Sequence, residues 1–414
     1  MNISSSALRI ALALALGLGL TRGAAAQSQR NEDPRTEAKI HFGPVYLTPE
    51  VQLRQIGVDT NVFNSGINPK SDFTFTVGPE AHVWVPIGRR GLVKTTAGAD
   101  LVYFQQYSSE RSIDPHAEVR GEVYLHRVTL FLENDLLNTR QRPNYEIDVR
   151  ARRLENTVRA GGELRLSRKF AVEVAARKSI IRFDGDQVFT GSDLEQTLNR
   201  DTNGVSATAR YQRTPLTTLA VRTETYRDRF ISAPLRDGDT LRVQPGVEFR
   251  PRALISGSAY LGYGRFLALH DELPDFRGVV GSARLRFRLP RAATLEFSGD
   301  RDLGFSYEDL QPCFVADGFG FTVRRQIVGR FDAAGSAQRQ RYSYRNLLIP
   351  GDPRAQFRPE RQDVTVIYTV SGGYTPKRDM RVGIGVSKMS RDSNTNATSI
   401  YEGFRIGSSV TYGF

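Results

Sequence analysis

Apolar and polar residues alternate with a period of two along most of this chain, and the alternation runs into its final residues. In "DFTFTVGPEAHVWV", Phe73, Phe75, Val77, Pro79, Ala81, Val83 and Val85 share one face, while Thr74, Thr76, Glu80 and His82 share the other. In "HAEVRGEVYL", Ala117, Val119, Val123 and Leu125 oppose Glu118, Arg120, Glu122 and Tyr124; in "TVRAGGELRL", Val158, Ala160, Leu164 and Leu166 oppose Arg159, Glu163 and Arg165. The ending "SSVTYGF" sets Val410, Tyr412 and Phe414 against Ser409, Thr411 and Gly413. Successive strand side chains point to opposite faces, so a repeat of two marks strands and excludes helices as the main element.

The polar faces are too charged for a shared dry core. Charged residues make up 25% of the chain and mean hydropathy is −0.39. No spanning helix is expected, since a helix needs about 20 apolar residues to cross a bilayer. A transmembrane barrel tolerates this composition, because only alternate residues of each strand meet lipid. A β-sandwich or soluble secreted barrel is the rival; it would hide the apolar faces together, which dense charge on the opposite faces and a terminal aromatic strand both disfavour. The expected fold is therefore all-β, an antiparallel transmembrane β-barrel.

The N-terminal segment reads as an export signal. One basic residue, Arg9, precedes the 11-residue apolar run Ile10 to Leu20, and Ala24-Ala25-Ala26 precedes polar "QSQRNEDPR". A signal peptide over 1–26, cleaved after Ala26, fits better than a retained anchor because the run is too short to span. Residues 27–40 read as a polar periplasmic leader and 41–414 as the barrel. Cys313 is the one cysteine, so no intramolecular disulfide can form; it reads as an incidental loop thiol in "EDLQPCFVADG".

Turn signals divide the barrel region. Short turns are expected at Pro86–Gly91, Ser167–Lys169, Arg213–Pro215, Pro251–Arg252, Pro290–Arg291 and Pro376–Arg378, with long polar links such as 184–203 and 342–360 between them. Short links on one rim and long ones on the other match periplasmic turns and outer loops. The segments amount to about 18 strands, with 16 as the alternative and 319–337 ambiguous; an even number suits a bacterial barrel. A helical turn or two is expected within 191–199. Tyr103, Tyr211, Phe249, Tyr263, Phe287 and Tyr374 suit interfacial girdles.

Basic residues number 57 against 45 acidic, and removing Arg9 and Arg22 with the signal lowers the formal charge from +12 to +10. Inward positions are expected for Arg120, Arg159, Arg165, Arg210, Arg222, Arg242, Arg284, Arg286 and Arg288. A lumen lined by guanidinium groups would favour anionic or sugar-acid solutes. Inward acids such as Glu163, Glu248 and Glu296 allow a second reading, a cross-strand ladder that braces the wall, for example Arg288 with Glu296 and Arg284 with Asp300 across a turn at Pro290. The bases are dispersed, which argues against nucleic acid as a partner. His41, His82, His116, His126 and His270 lack a serine motif or metal-ligand spacing, so neither an enzyme nor a metal or other cofactor is expected.

The stretch Gly57-Val58-Asp59-Thr60-Asn61-Val62-Phe63, followed by Ser71-Asp72-Phe73 and by Gly78-Pro79 inside a strand, resembles the first hairpin of the putative β-barrel porin 2 family. That resemblance implies an outer-membrane barrel of a diderm bacterium, several members being linked to exopolysaccharide biosynthesis and export. It implies help with moving polysaccharide across the outer membrane, with periplasmic export proteins as partners. A general or anion-preferring diffusion porin, or a closed structural or adhesive barrel, are the alternatives. Asp59 and Asn61 are expected to fix the turn where the first strand meets its outer loop rather than to bind sugar. Val410, Tyr412 and Phe414 resemble the C-terminal signal read by the barrel-assembly machinery, and should face outer-membrane lipid while the last strand pairs with the first near 45–56. Deleting Phe414 should lower the fraction of heat-modifiable barrel in outer-membrane preparations before it alters transport; full insertion of the truncated chain would contradict a signal role.

Overall fold

The computed structural model describes residues 38–251, 253–348, 360–377, 379–395 and 399–413. The expected signal peptide, most of the leader, Arg252, Arg378 and Phe414 lie outside the described residues. Eighteen antiparallel strands of 12 to 16 residues form one closed barrel. They are β1 (Val45–Asp59), β2 (Asp72–Ile87), β3 (Gly91–Phe104), β4 (Ser112–Tyr124), β5 (Val128–Thr139) and β6 (Arg153–Arg165). Next come β7 (Phe170–Phe183), β8 (Arg200–Gln212), β9 (Thr217–Phe230), β10 (Gly238–Phe249), β11 (Ile255–Ala268) and β12 (Phe276–Leu289). The circuit ends with β13 (Ala293–Phe305), β14 (Cys313–Val328), β15 (Phe331–Arg345), β16 (Gln362–Lys377), β17 (Met380–Ser393) and β18 (Tyr401–Gly413).

Each strand pairs with its sequence neighbours, and β18 pairs with β1 from Glu50↔Gly413 to Asp59↔Arg405. This seam removes the last sheet edge, which a bilayer would leave without hydrogen-bond partners. A bulge at the seam keeps the alternation useful. Gln55 adopts φ 55°, and the register shifts there against both β2 and β18. Beyond it Gly57 and Asp59 face inward while Val58 stays exposed on the outside.

Links of two to five residues occupy one rim (88–90, 125–127, 166–169, 213–216, 250–254, 290–292, 329–330, 378–379), and links of 7 to 16 residues occupy the other. Gly88 and Gly329 supply the left-handed φ of +58° and +53° that two of these tight turns need. The segment 319–337 is a hairpin around 329–330, and 125–127, which contains His126, is a further turn that carries weak local punctuation. Three expectations are corrected. Cys313 is no loop thiol: it opens β14, fully buried against Phe266, Leu273 and Leu347. The three-residue turn 290–292 pairs Leu289 with Ala293, so Arg286, not Arg288, faces Glu296, and Arg284 faces Ser298. Tyr263 also stands in mid-strand, exposed, rather than at a strand end.

Apolar side chains cover the outside: Val119, Leu132, Val158, Val221, Leu261, Phe321, Val370 and Ile406 are all exposed. Their neighbours along each strand turn inward. Closure rests on close backbone approach at the seam, where a Cβ on Gly57 would strike the Ile406 carbonyl and Gly407 Cα. Gly57→Val should therefore abolish the heat-modifiable form. Gly335→Ala, on β15 with nothing within 4 Å of the added carbon, should leave it intact; equal assembly of both variants would contradict the seam geometry.

Candidate functional site: the lumen and its inward loop

Strand register sets Arg120, Arg159, Arg165, Arg210, Arg222, Arg242, Arg284, Arg286 and Arg288 on the inner face. Most of them meet carboxylates. Arg120 bonds Glu122 at 2.7 Å and also Glu133; Arg159 lies 3.7 Å from Glu133 and 3.6 Å from Glu173. Arg210 continues the belt with Glu173 at 2.9 Å and Glu248 at 3.3 Å. Arg242 reaches Asp302 at 2.8 Å, Arg286 bonds Glu296 through Nε at 2.9 Å, and Arg165 lies 3.5 Å from Glu163. Arg222 donates to Gln244 at 2.8 Å and stacks over Tyr260 at 4.3 Å, and Arg288 donates to the Pro251 carbonyl at 2.9 Å. A wall built this way is rich in donors and acceptors but close to neutral along the belt. Truncating one member would leave its buried partner uncompensated, at a cost of about 3–5 kcal/mol.

The long link 140–152, between β5 and β6, is the element that shapes the passage. It is held by β15, nine strands from β6 in a ring of 18, and so crosses the lumen. The Tyr145 amide donates to the Tyr342 hydroxyl at 3.4 Å, and the Ser306 hydroxyl donates to the Glu146 carboxylate. Arg391 on β17, completely buried, donates to the Glu146 carbonyl at 3.1 Å, to Asp148 at 2.7 Å and to Asp363 at 2.6 Å. Arg361 clamps the same Asp363 at 2.7 Å. From the side of β1, Asn64 donates to Asp148 at 3.0 Å, while Arg142 reaches the Val62 carbonyl at 2.6 Å.

An apolar seam backs this polar latch. Ile147 and Ala151 pack with Phe183, Tyr307, and Leu194 and Leu198 of the short helix α1 (Leu194–Leu198). Asp193 caps α1 by accepting from the Glu195 and Gln196 amides at 2.8 and 3.3 Å, within the expected helical stretch. Tyr307 meets Phe189 edge-on at 4.8 Å. Three long links thus pack together over the mouth. Beside them, Tyr145, Arg222, Tyr260, Arg284, Asp300 and Gln340 line a hollow with about 930 Å³ of empty space, solvent included.

The first-hairpin residues serve the seam. Asp59 accepts from the Asn61 amide at 2.9 Å and from Arg405 of β18 at 2.7 Å. Asn61 donates to the Ser65 and Glu402 carbonyls at 2.9 Å each and accepts from the Ser65 amide at 2.9 Å. Phe63 rests edge-on against Tyr107, centroids 4.8 Å apart. Val410 pairs with Leu53, and Tyr412, exposed on the outer face, pairs with Val51. The inward course of 140–152 has only a faint trace in the sequence. That trace is "YEIDVRA", where Ile147 and Val149 alternate with charge inside a link that should have been uniformly polar.

The family model for putative beta-barrel porin 2 matches residues 33–413. No curated protein matches the chain in sequence. Among solved structures, Pseudomonas aeruginosa OccK5 (OpdH) is similar at 7% identity, covering 90% of this chain and 98% of its own, with a TM-score of 0.46. Acinetobacter baumannii OccAB3 is similar at 9% identity, 89% and 99% coverage and a TM-score of 0.46. A bacterial polysaccharide outer membrane secretin is similar at 8% identity, 88% and 97% coverage and a TM-score of 0.35.

Glu146 makes the latch sensitive to pH. Burial raises its carboxyl from 4.5 to about 7, against the pull of the Ser306 hydrogen bond and of Arg361 and Arg391. A docked loop that holds this proton more tightly than a released loop docks at full strength below about 4.5, weakens as pH rises, and levels off above about 7. Single-channel current should accordingly fluctuate more at pH 7 than at pH 4.5, and Glu146→Gln should remove that difference. The same pH response in the variant would contradict the assignment.

Proposed function

From its membership of the putative beta-barrel porin 2 family, to which this chain belongs, we propose a narrow outer-membrane porin that passes saccharides, in the service of polysaccharide export. The family and the closed barrel make it an outer-membrane porin-like protein. The observation that carries the finer reading is loop 140–152, which crosses the lumen and presents Tyr145 to a hollow lined by arginine, amide and hydroxyl groups. Sugars suit such a lining, since hydroxyls take up paired donors and acceptors and an aromatic ring covers their apolar face. Ion pairing along the wall fits hydrated polar cargo better than strong selection by charge.

An anion-preferring diffusion porin is the second reading, favoured by the formal charge of the chain, +12 as a whole. Purified protein in planar bilayers should give small conductances that oligosaccharides block, with at most weak anion preference in a salt gradient. Removing residues 141–150 should enlarge them severalfold. Silence under every condition in both forms would favour the closed structural barrel and overturn the porin reading. In cells, loss of the protein should strand surface polysaccharide in the periplasm; normal secretion alongside normal pores would overturn the export role alone.

A further inference from the structure

On the lipid-facing side of three adjacent strands the lower wall is almost free of charge. It presents Val172, Val174 and Ala176 on β7, Tyr211, Ala209, Ala207 and Val205 on β8, and Leu219, Val221, Thr223 and Thr225 on β9. The next outward position on each strand is polar: Lys178, Asn203 and Arg227. Register sets them side by side, Lys178 opposite Asn203 and Asn203 opposite Arg227. All three are exposed. Among the described residues neither base has a carboxylate within ion-pair distance, whereas farther up the wall Arg182 pairs with Asp201, and Arg229 with Asp239 at 2.9 Å.

Height decides what these bases can meet. Lys178 stands eight residues beyond Phe170 and Arg227 ten beyond Thr217. At roughly 2.5 Å of height per tilted strand residue, that is roughly 20–25 Å above the short-turn rim, the full depth of a barrel's apolar band. The unpaired bases therefore mark the outer boundary of the hydrocarbon, in the leaflet away from the periplasm. Just below them Ala160, Ala176 and Val205 floor a shallow groove walled by Val158 and Thr225.

We propose that this groove binds a phosphorylated glycolipid of the outer leaflet, the lipid A part of lipopolysaccharide. One phosphate lies between Lys178 Nζ and the Arg227 guanidinium, the Asn203 amide donates to the same group, and an acyl chain runs down over Ala160, Ala176 and Val205. Two strand spacings, roughly 10 Å, separate the bases at the backbone, a gap that two long cationic side chains close around one phosphate. Charge complementarity selects this occupant over a second apolar protein face, because burying two unpaired cations in a subunit contact would be costly.

Titration of diphosphoryl lipid A into the full-length protein in nanodiscs of neutral lipid, read by native mass spectrometry, tests the site. Lys178→Gln with Arg227→Gln should weaken binding roughly 30-fold, about 1 kcal/mol per base at an anionic surface. The charge-keeping exchange Lys178→Arg with Arg227→Lys should retain it, and dephosphorylated lipid A should bind the unaltered protein as weakly as the double Gln variant binds the phosphorylated form. Single Lys178→Gln should fall between, which keeps the test valid if the double variant assembles poorly. Equal binding of phosphorylated and dephosphorylated lipid would overturn the proposal. So would displacement of the lipid by inorganic phosphate, or an oligomer of the unaltered protein that dissociates on Gln substitution.

Discussion

Every feature of this protein depends on the hydrogen bonding that joins its first strand to its last. Inside a bilayer no water satisfies an open sheet edge, so a chain of alternating faces is stable there only when the ladder closes on itself. The β1–β18 seam does this through a bulge at Gln55, a glycine at 57 that lets the strands approach, and the Asp59–Asn61 pair that ties the outer end of the seam to Arg405 and Glu402. Closure also fixes the far wall at a set distance from β5 and β6. Without that, loop 140–152 would have no Tyr342, Arg391 or Ser306 to reach.

The lumen shows how a polar interior is held in order without disulfides. Alternating bases and acids on neighbouring strands satisfy one another, so the wall is stiffened by the same groups that make it hydrophilic. The mouth adds a small apolar core of Ile147, Leu194, Leu198 and Tyr307. Polar contacts set the position of the inward loop, and this core supplies the burial that holds it there. Arg391 joins the two by contacting both the loop and the strand residue Asp363.

The alternation makes the barrel and its inward and outward faces legible in the amino-acid order alone, because strand orientation is a local property with a period of two; the strand number, 18 with 16 left open, depends on turns, and some of these, such as 125–127, are weakly marked. The Asp59–Asn61 turn is legible for the same reason: side-chain bonds to nearby backbone are local. Register is less so. A slip of two residues along the strand is enough to move Glu296 from Arg288 to Arg286 while keeping both on the inner face, and nothing local in the sequence fixes that slip. The destination of loop 140–152 is a nonlocal matter, set by partners as distant in sequence as Arg391, and the apolar Ile147 and Val149 hint at burial without saying against what. Likewise, Lys178, Asn203 and Arg227 are far apart in the chain, and only register makes them a row.

The closing seam can be tested directly by a disulfide across it. With Cys313→Ser in place, Val51→Cys and Tyr412→Cys put thiols on residues paired across β1 and β18. Oxidation of the assembled protein in membranes is predicted to join them efficiently. Val51→Cys with Ser408→Cys, whose natural partner is Ile56, is predicted to stay open. A bond in the second pair and none in the first would mean that the barrel does not close in this register, and the account of seam, lumen and loop would fail with it.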